Sequence, residues 1–146
     1  MIFQGVRLVG LLVLVGVLAA CEPGTVAIPP GAQQVQVTAT RARIALQPTS
    51  VAAGDVYLVL NLSAGATELE IVRIGVGGLT DAQIAQLQQT GDAGVAGGYE
   101  SLSASCCGNV VKETLVAGNY PILLPGLAGS AAVVPPIATA ILHVTP

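Results

Sequence analysis

VQVTATRARIALQPTSVAAGDVYLVLNLSAG, residues Val35 to Gly65, is the stretch whose reading decides the fold. Val35, Val37 and Ala39 fall on one side of an alternating pattern, and Gln36, Thr38 and Thr40 on the other. A period of two with one apolar face marks a half-buried β-strand, because successive side chains point to opposite faces of a sheet. RARIALQP carries the alternation on to Pro48, VAAGD predicts a turn, and VYLVLNLS is rich in the branched and aromatic residues that suit strands.

Downstream, TELEIVRIG alternates again, with Leu69 and Ile71 opposed to Glu68, Glu70 and Val72. Three strands separated by short turns predict a sandwich. One helix interrupts them in LTDAQIAQLQQTG. Thr80 can cap it, Gln83 can return the bond, Leu79 can staple onto Ile84, and Gly91 can end it in a left-handed conformation. Its apolar stripe of Ile84 and Leu87, with Ala82 and Ala85, is thin, which predicts packing at an edge or end of the sandwich. The neighbouring GVGG and GDAGVAGG lack the Lys-Ser/Thr of a phosphate loop and read as connections. Strands resume in NVVKETLV, NYPILLPG and IATAILHV.

Upstream of the domain the chain changes character. MIFQGVRLVGLLVLVGVLAAC has one basic residue, Arg7, then an uncharged apolar run from Leu8 to Ala20. The run is short of the roughly 20 residues that span a bilayer and has the proportions of a secretory signal. Small residues at Ala19 and Ala20 lead into Cys21, and LAAC resembles the bacterial lipobox. The resemblance implies that Cys21 receives a diacylglyceryl group, that the signal, residues 1–20, is removed, and that the new amino terminus is acylated. Each buried lipid methylene contributes about 0.8 kcal/mol, and two or more chains hold stably. The expectation is a protein of the bacterial cell envelope, lipid-anchored on the extracytoplasmic side of a membrane. EPGTVAIPPGAQQ, rich in Pro and Gly, completes a linker over residues 21–34, and the domain occupies residues 35–146.

After removal of the signal, Arg41, Arg43, Arg73 and Lys112 stand against eight acidic residues, a net charge of −4. Phosphate backbones are repelled by such a chain, and with no Trp and few aromatic residues it offers little for bases to stack on. Nucleic acid is therefore excluded as an expected partner. An envelope protein or ligand is the partner class left open.

The order of VTATRARIALQPTSVAAGDVYLVLNLSAG, TELEIVRI, a capped helix, ETLVAGNYPILLPG and AILHVTP resembles a bacterial cupredoxin-like domain over Val35 to Pro146. The fold expected is all-β, a Greek-key β-sandwich with one short inserted α-helix. In copper-binding members a His opens the third strand, where this chain has Thr67, and a Cys ends the Gly-x-Tyr strand, where Leu124 stands. A second His and a Met follow, and LAGSAAVVPP contains neither. A blue-copper centre needs imidazoles and a thiolate converging on one metal, so no cofactor and no metal ligand are expected. Tyr120 in LVAGNY resembles the tyrosine corner of Greek-key sandwiches, whose hydroxyl bonds upstream backbone.

His143, the only histidine, lies on the last strand beside Ile141's face, with Leu142 and Val144 opposite. Glu68 and Glu70 share a face and read as a solvated acidic pair, not as acid and base. No catalytic residues are expected, and no enzyme activity.

The remaining ambiguity is SASCCGNV. With Cys21 lipidated, Cys106 and Cys107 are left in an oxidising compartment. Adjacent Cα atoms lie about 3.8 Å apart, below the roughly 4.4 Å minimum of unstrained bridges. A vicinal disulfide would be strained and comparatively reducible; free or intermolecular thiols and metal ligation are the alternatives. Three functions follow: a non-enzymatic binding or structural lipoprotein, a copper or electron-transfer protein with an atypical site, and a thiol redox protein using Cys106 and Cys107.

Overall fold

A computed structural model describes residues 26–63, 69–72, 77–91, 99–102, 109–126 and 134–146. They form nine strands and one helix: β1 (Gln33–Ala39), β2 (Ile44–Gln47), β3 (Ser50–Ala52), β4 (Gly54–Leu62), β5 (Leu69–Val72), α1 (Asp81–Thr90), β6 (Tyr99–Leu102), β7 (Val110–Leu115), β8 (Gly118–Leu124) and β9 (Ala138–Thr145). Two sheets face each other, one ordered β2-β1-β4-β7 and the other β3-β9-β8-β5-β6. The chain is an all-β sandwich with one inserted helix.

The alternation read in the sequence is the alternation of burial. Val35, Val37 and Ala39 of β1 are fully buried while Gln34, Gln36 and Thr38 are exposed. Leu58 of β4 joins them, and Leu69 and Ile71 of β5 enter the same core from the other sheet with Tyr120, Ile122 and Leu142. Burying each such side chain contributes about 1.5–3 kcal/mol, so this single inter-sheet layer is the main source of stability.

Four features of the strands differ from the sequence reading. The alternation does not run on through RARIALQP as one strand: residues 40–43 turn, and β2 folds back antiparallel on β1, with Val37 opposite Leu46. VAAGD is not all turn, because Ser50–Ala52 forms β3, parallel to β9. The segment β2–β3 therefore begins in one sheet, bends at the cis Gln47–Pro48 peptide and finishes in the other. The sheet also starts two residues before Val35. Gln33 pairs with Val56, and its carboxamide both donates to the Ala52 carbonyl (3.0 Å) and accepts from the Ala52 amide (2.7 Å). Finally, Tyr99–Leu102 pairs with β5 as a strand that the sequence reading did not anticipate.

The helix has the caps its sequence calls for. Thr80 Oγ1 accepts from the Gln83 amide, Gln83 Oε1 accepts from the Thr80 amide at 2.8 Å, and Gly91 closes the helix with φ 71°. A side chain at Gly91 would collide with the Val134 carbonyl, so the position needs glycine for space as well as for conformation. The helix does not lie at an edge. Ile84, Leu87 and Leu79 pack on Leu123 and Ile141, which face outward from β8 and β9, while Ala82 and Ala85 are exposed. From Tyr120 to Leu124 β8 is thus buried on both faces.

Register defines two ends of the sandwich. At the near end the chain enters β1 at Gln33, β3 passes to β4 through Ala53, and β7 turns into β8 through Val116 and Ala117. At the far end stand Ala39 beside Leu62, Leu69 beside Leu102, and Leu124 beside Ala138.

Candidate functional site

Cys21, Cys106, Cys107, Thr67 and Glu68 lie outside the described residues. The connection holding Cys106 and Cys107 runs between Leu102 and Asn109, both at the far end; Asn109 accepts a backbone bond from Leu60.

Leu124 occupies the place where the resemblance would put a copper thiolate. It points inward, is 5% exposed, and belongs to the inter-sheet core. An isobutyl side chain in a close-packed apolar layer offers no lone pair to a cation and leaves no room for one.

His143 is elsewhere. Its strand alternation is as the sequence implies, with Leu142 and Val144 buried and His143 exposed on the outer face. It pairs with Asn119 across β8, and its Nδ1 lies 2.7 Å from Asn119 Oδ1. A carboxamide oxygen can only accept, so in this pairing Nδ1 is the donor. Asn119 and Leu124 are five residues apart on β8, about 17 Å at strand spacing, and on opposite faces. No single ion can contact both His143 and position 124.

Register also sets Ser50 beside His143, giving a row Ser50, His143, Asn119 across three strands. Among the described residues the imidazole bonds Asn119 and not Ser50. Serine, histidine and carboxamide stand side by side on an open sheet face, whereas nucleophilic catalysis requires the base to reach the hydroxyl proton. Among the described residues no group of three or more His, Cys, Asp or Glu side chains converges as a metal site.

Ser50 borders an open groove of about 420 Å³ between β1 and β3, lined also by Gln33, Gln34, Pro48 and Thr145. Its walls carry hydroxyls and carboxamides and no ionisable side chain. Such a surface can exchange hydrogen bonds with a ligand but cannot move protons at neutral pH.

Tyr120 is fully buried, and its hydroxyl donates to the Val116 carbonyl at 2.8 Å, the upstream bond expected of a tyrosine corner. Two polar features went unremarked in the sequence reading. Glu113, 4% exposed, points inward from β7, an edge strand, and is partnered. The VVKETL alternation carries the signal, since it puts Glu113 on the face of Val111 and Leu115. Inward charges on an edge strand oppose edge-to-edge pairing with another chain. On the outer face Asp55 accepts from Lys112 at 2.8 Å and from Thr114 at 2.7 Å. The Lys112 ammonium, then the Thr114 hydroxyl, hold the Asp55 carboxyl below its usual range, and Asp55 raises Lys112 in return.

Comparison with family models, curated proteins and solved structures finds no match to the chain.

Proposed function

We propose that the chain is a lipoprotein of a bacterial cell envelope, anchored through Cys21 on the extracytoplasmic side. Its sandwich, cupredoxin-like and metal-free, serves as a non-enzymatic binding or structural module. The observation that carries this reading is the ordered sequence of Arg7, the apolar run Leu8–Ala20, and Cys21 directly after LAA. Among the described residues no helix is long and apolar enough to cross a membrane.

The strand that changes sheets at Gln47–Pro48 and the bonded corner at Tyr120 support the cupredoxin-like part of the reading. The metal-free part is supported by what fills the positions in question. Leu124 is packed into the core, and His143 is held by Asn119 on the opposite face. The residues present do not fit a blue-copper ion.

Metabolic labelling with a palmitate analogue tests the anchor. Label on the wild-type protein and none on Cys21→Ser, with release of the variant from membranes, is the expected result; an unlabelled wild type overturns the reading. Copper titration of the soluble domain tests the rest. Stoichiometric binding with an intense visible absorption would replace it with electron transfer. Mass spectrometry without reductant, followed by a redox titration, decides whether Cys106 and Cys107 form a bridge that cycles.

A further inference from the structure

We infer that the near end of the sandwich rests on the lipid bilayer, its uncharged turns seated at the headgroup layer, with the far-end connections turned away from the membrane. This rests on Cys21 being the lipid anchor.

The first support is the apolar character of that end. Gly54 pairs with Leu115, which sets Ala53 beside Val116, and the Ala53 amide donates to the Thr145 carbonyl at 2.8 Å. These bonds join the β3–β4 and β7–β8 turns and the end of β9 into one rim. Val116 is 45% exposed at its tip, and Ala52, Ala53 and Ala117 are exposed beside it. A valine left in water on a turn that is otherwise free to vary is unremarkable when single. Here the turn is fixed, because the buried Tyr120 hydroxyl holds the Val116 carbonyl, and none of these rim side chains is ionisable. Asp55 and Lys112, which flank the rim, pair with each other at 2.8 Å.

The second support is the tether. Residues 22–25 separate Cys21 from Val26, itself 39% exposed, a span of at most about 18 Å when extended. The chain then turns at Pro29–Ala32, where the Ala32 amide donates to the Pro29 carbonyl, and enters the sheet at Gln33, on the rim's own end. An anchor so placed delivers the near end to the bilayer first.

The opposite end also exposes a large apolar residue, Ile137 at 45%, but it carries charge. Its β1–β2 turn exposes Arg41 and Arg43 around Ala42. Arginines are drawn to anionic headgroups, so these two are the competing contact, and lipid charge distinguishes the two orientations.

The chain contains no tryptophan, so single-tryptophan variants report one position each. Full-length lipidated V116W, A53W and A42W would be placed in phosphatidylcholine vesicles with brominated acyl chains, with and without phosphatidylglycerol. The expected result is a blue-shifted emission quenched by the brominated lipid for V116W and A53W in both vesicle types, with A42W water-like and quenched by acrylamide. Two results overturn the inference: all three water-like while the protein still floats with the vesicles, or A42W alone quenched by lipid. A protein that lacks acyl chains by mass spectrometry and does not float removes the anchor reading, and the inference with it. A53W keeps the test decisive where V116W fails to fold.

Discussion

The Gln33 carboxamide closes both outward backbone groups of Ala52, accepting from its amide at 2.7 Å and donating to its carbonyl at 3.0 Å. A side chain thereby takes the part of a neighbouring strand at the open edge of β3. Exposed edges of this kind recruit other chains. Gln33→Ala is expected to cost about 1 kcal/mol, since two solvent-accessible bonds are exchanged for water, and to increase self-association. Urea unfolding and concentration-dependent sedimentation read the two effects, and an unchanged sedimentation profile would remove the edge-guarding role.

Tyr120→Phe keeps the buried ring and deletes the bond to Val116. The expected loss is about 0.5–1.5 kcal/mol, with the β7–β8 turn exchanging its amide protons faster. Tyr120→Ala also empties a fully buried site and is expected to cost about 3–5 kcal/mol. Denaturant midpoints of the two variants separate the hydroxyl from the ring.

Helix α1 depends on its two caps unequally. Thr80→Ala removes one side-chain acceptor and is expected to cost about 1 kcal/mol. Gly91→Ala must strain a backbone at φ 71° and also displace the Val134 carbonyl, so it should lose more than the cap variant. Circular dichroism during urea unfolding gives the order, and equal losses would mean that the contact with Val134 yields freely.

Asp55 and Lys112 give a small pH dependence with a definite sign. The carboxyl is lowered by Lys112 and then Thr114, so its contribution holds above its unfolded value of about 3.9 and is lost as pH falls through the folded value. The ammonium is raised by Asp55, so its contribution holds below about 10.4 and is lost as pH rises through the folded value. The stability difference between wild type and Asp55→Asn is therefore largest near neutrality and shrinks toward pH 2. Both groups are exposed, so it should also shrink in high salt.

The parts of the fold legible in the sequence are those with a strong local signature. Val35, Val37, Leu69 and Ile71 alternate because one sheet face is dry, and Thr80, Gln83 and Gly91 are cap residues whose chemistry is local. What escaped depends on distant partners. Ser50–Ala52 is three residues long and polar at its start, and only β9 makes it a strand. The helix's position was set by Leu123, an apolar residue on an outer face. The continuous run YPILL signals a strand covered on both sides, and this was the available cue. At the candidate site, the distance of His143 from position 124 follows from the β8–β9 register, which no local pattern encodes. Its bond to Asn119 follows from the same register.

The strand that crosses between sheets has a consequence for how the chain reaches its native state. Among the described residues β3 finds its only strand partner in β9, and the contact between Val51 and Thr145 joins positions 94 residues apart. β1 likewise waits for β4 to lie parallel to it. Non-local pairing of this kind slows folding, because the entropy of closing a long loop is spent before the contacts form. In any chain that emerges amino terminus first, the second sheet stays incomplete until β9 has emerged. Under the anchoring proposed for Cys21, the domain would close with its amino terminus already held at the membrane.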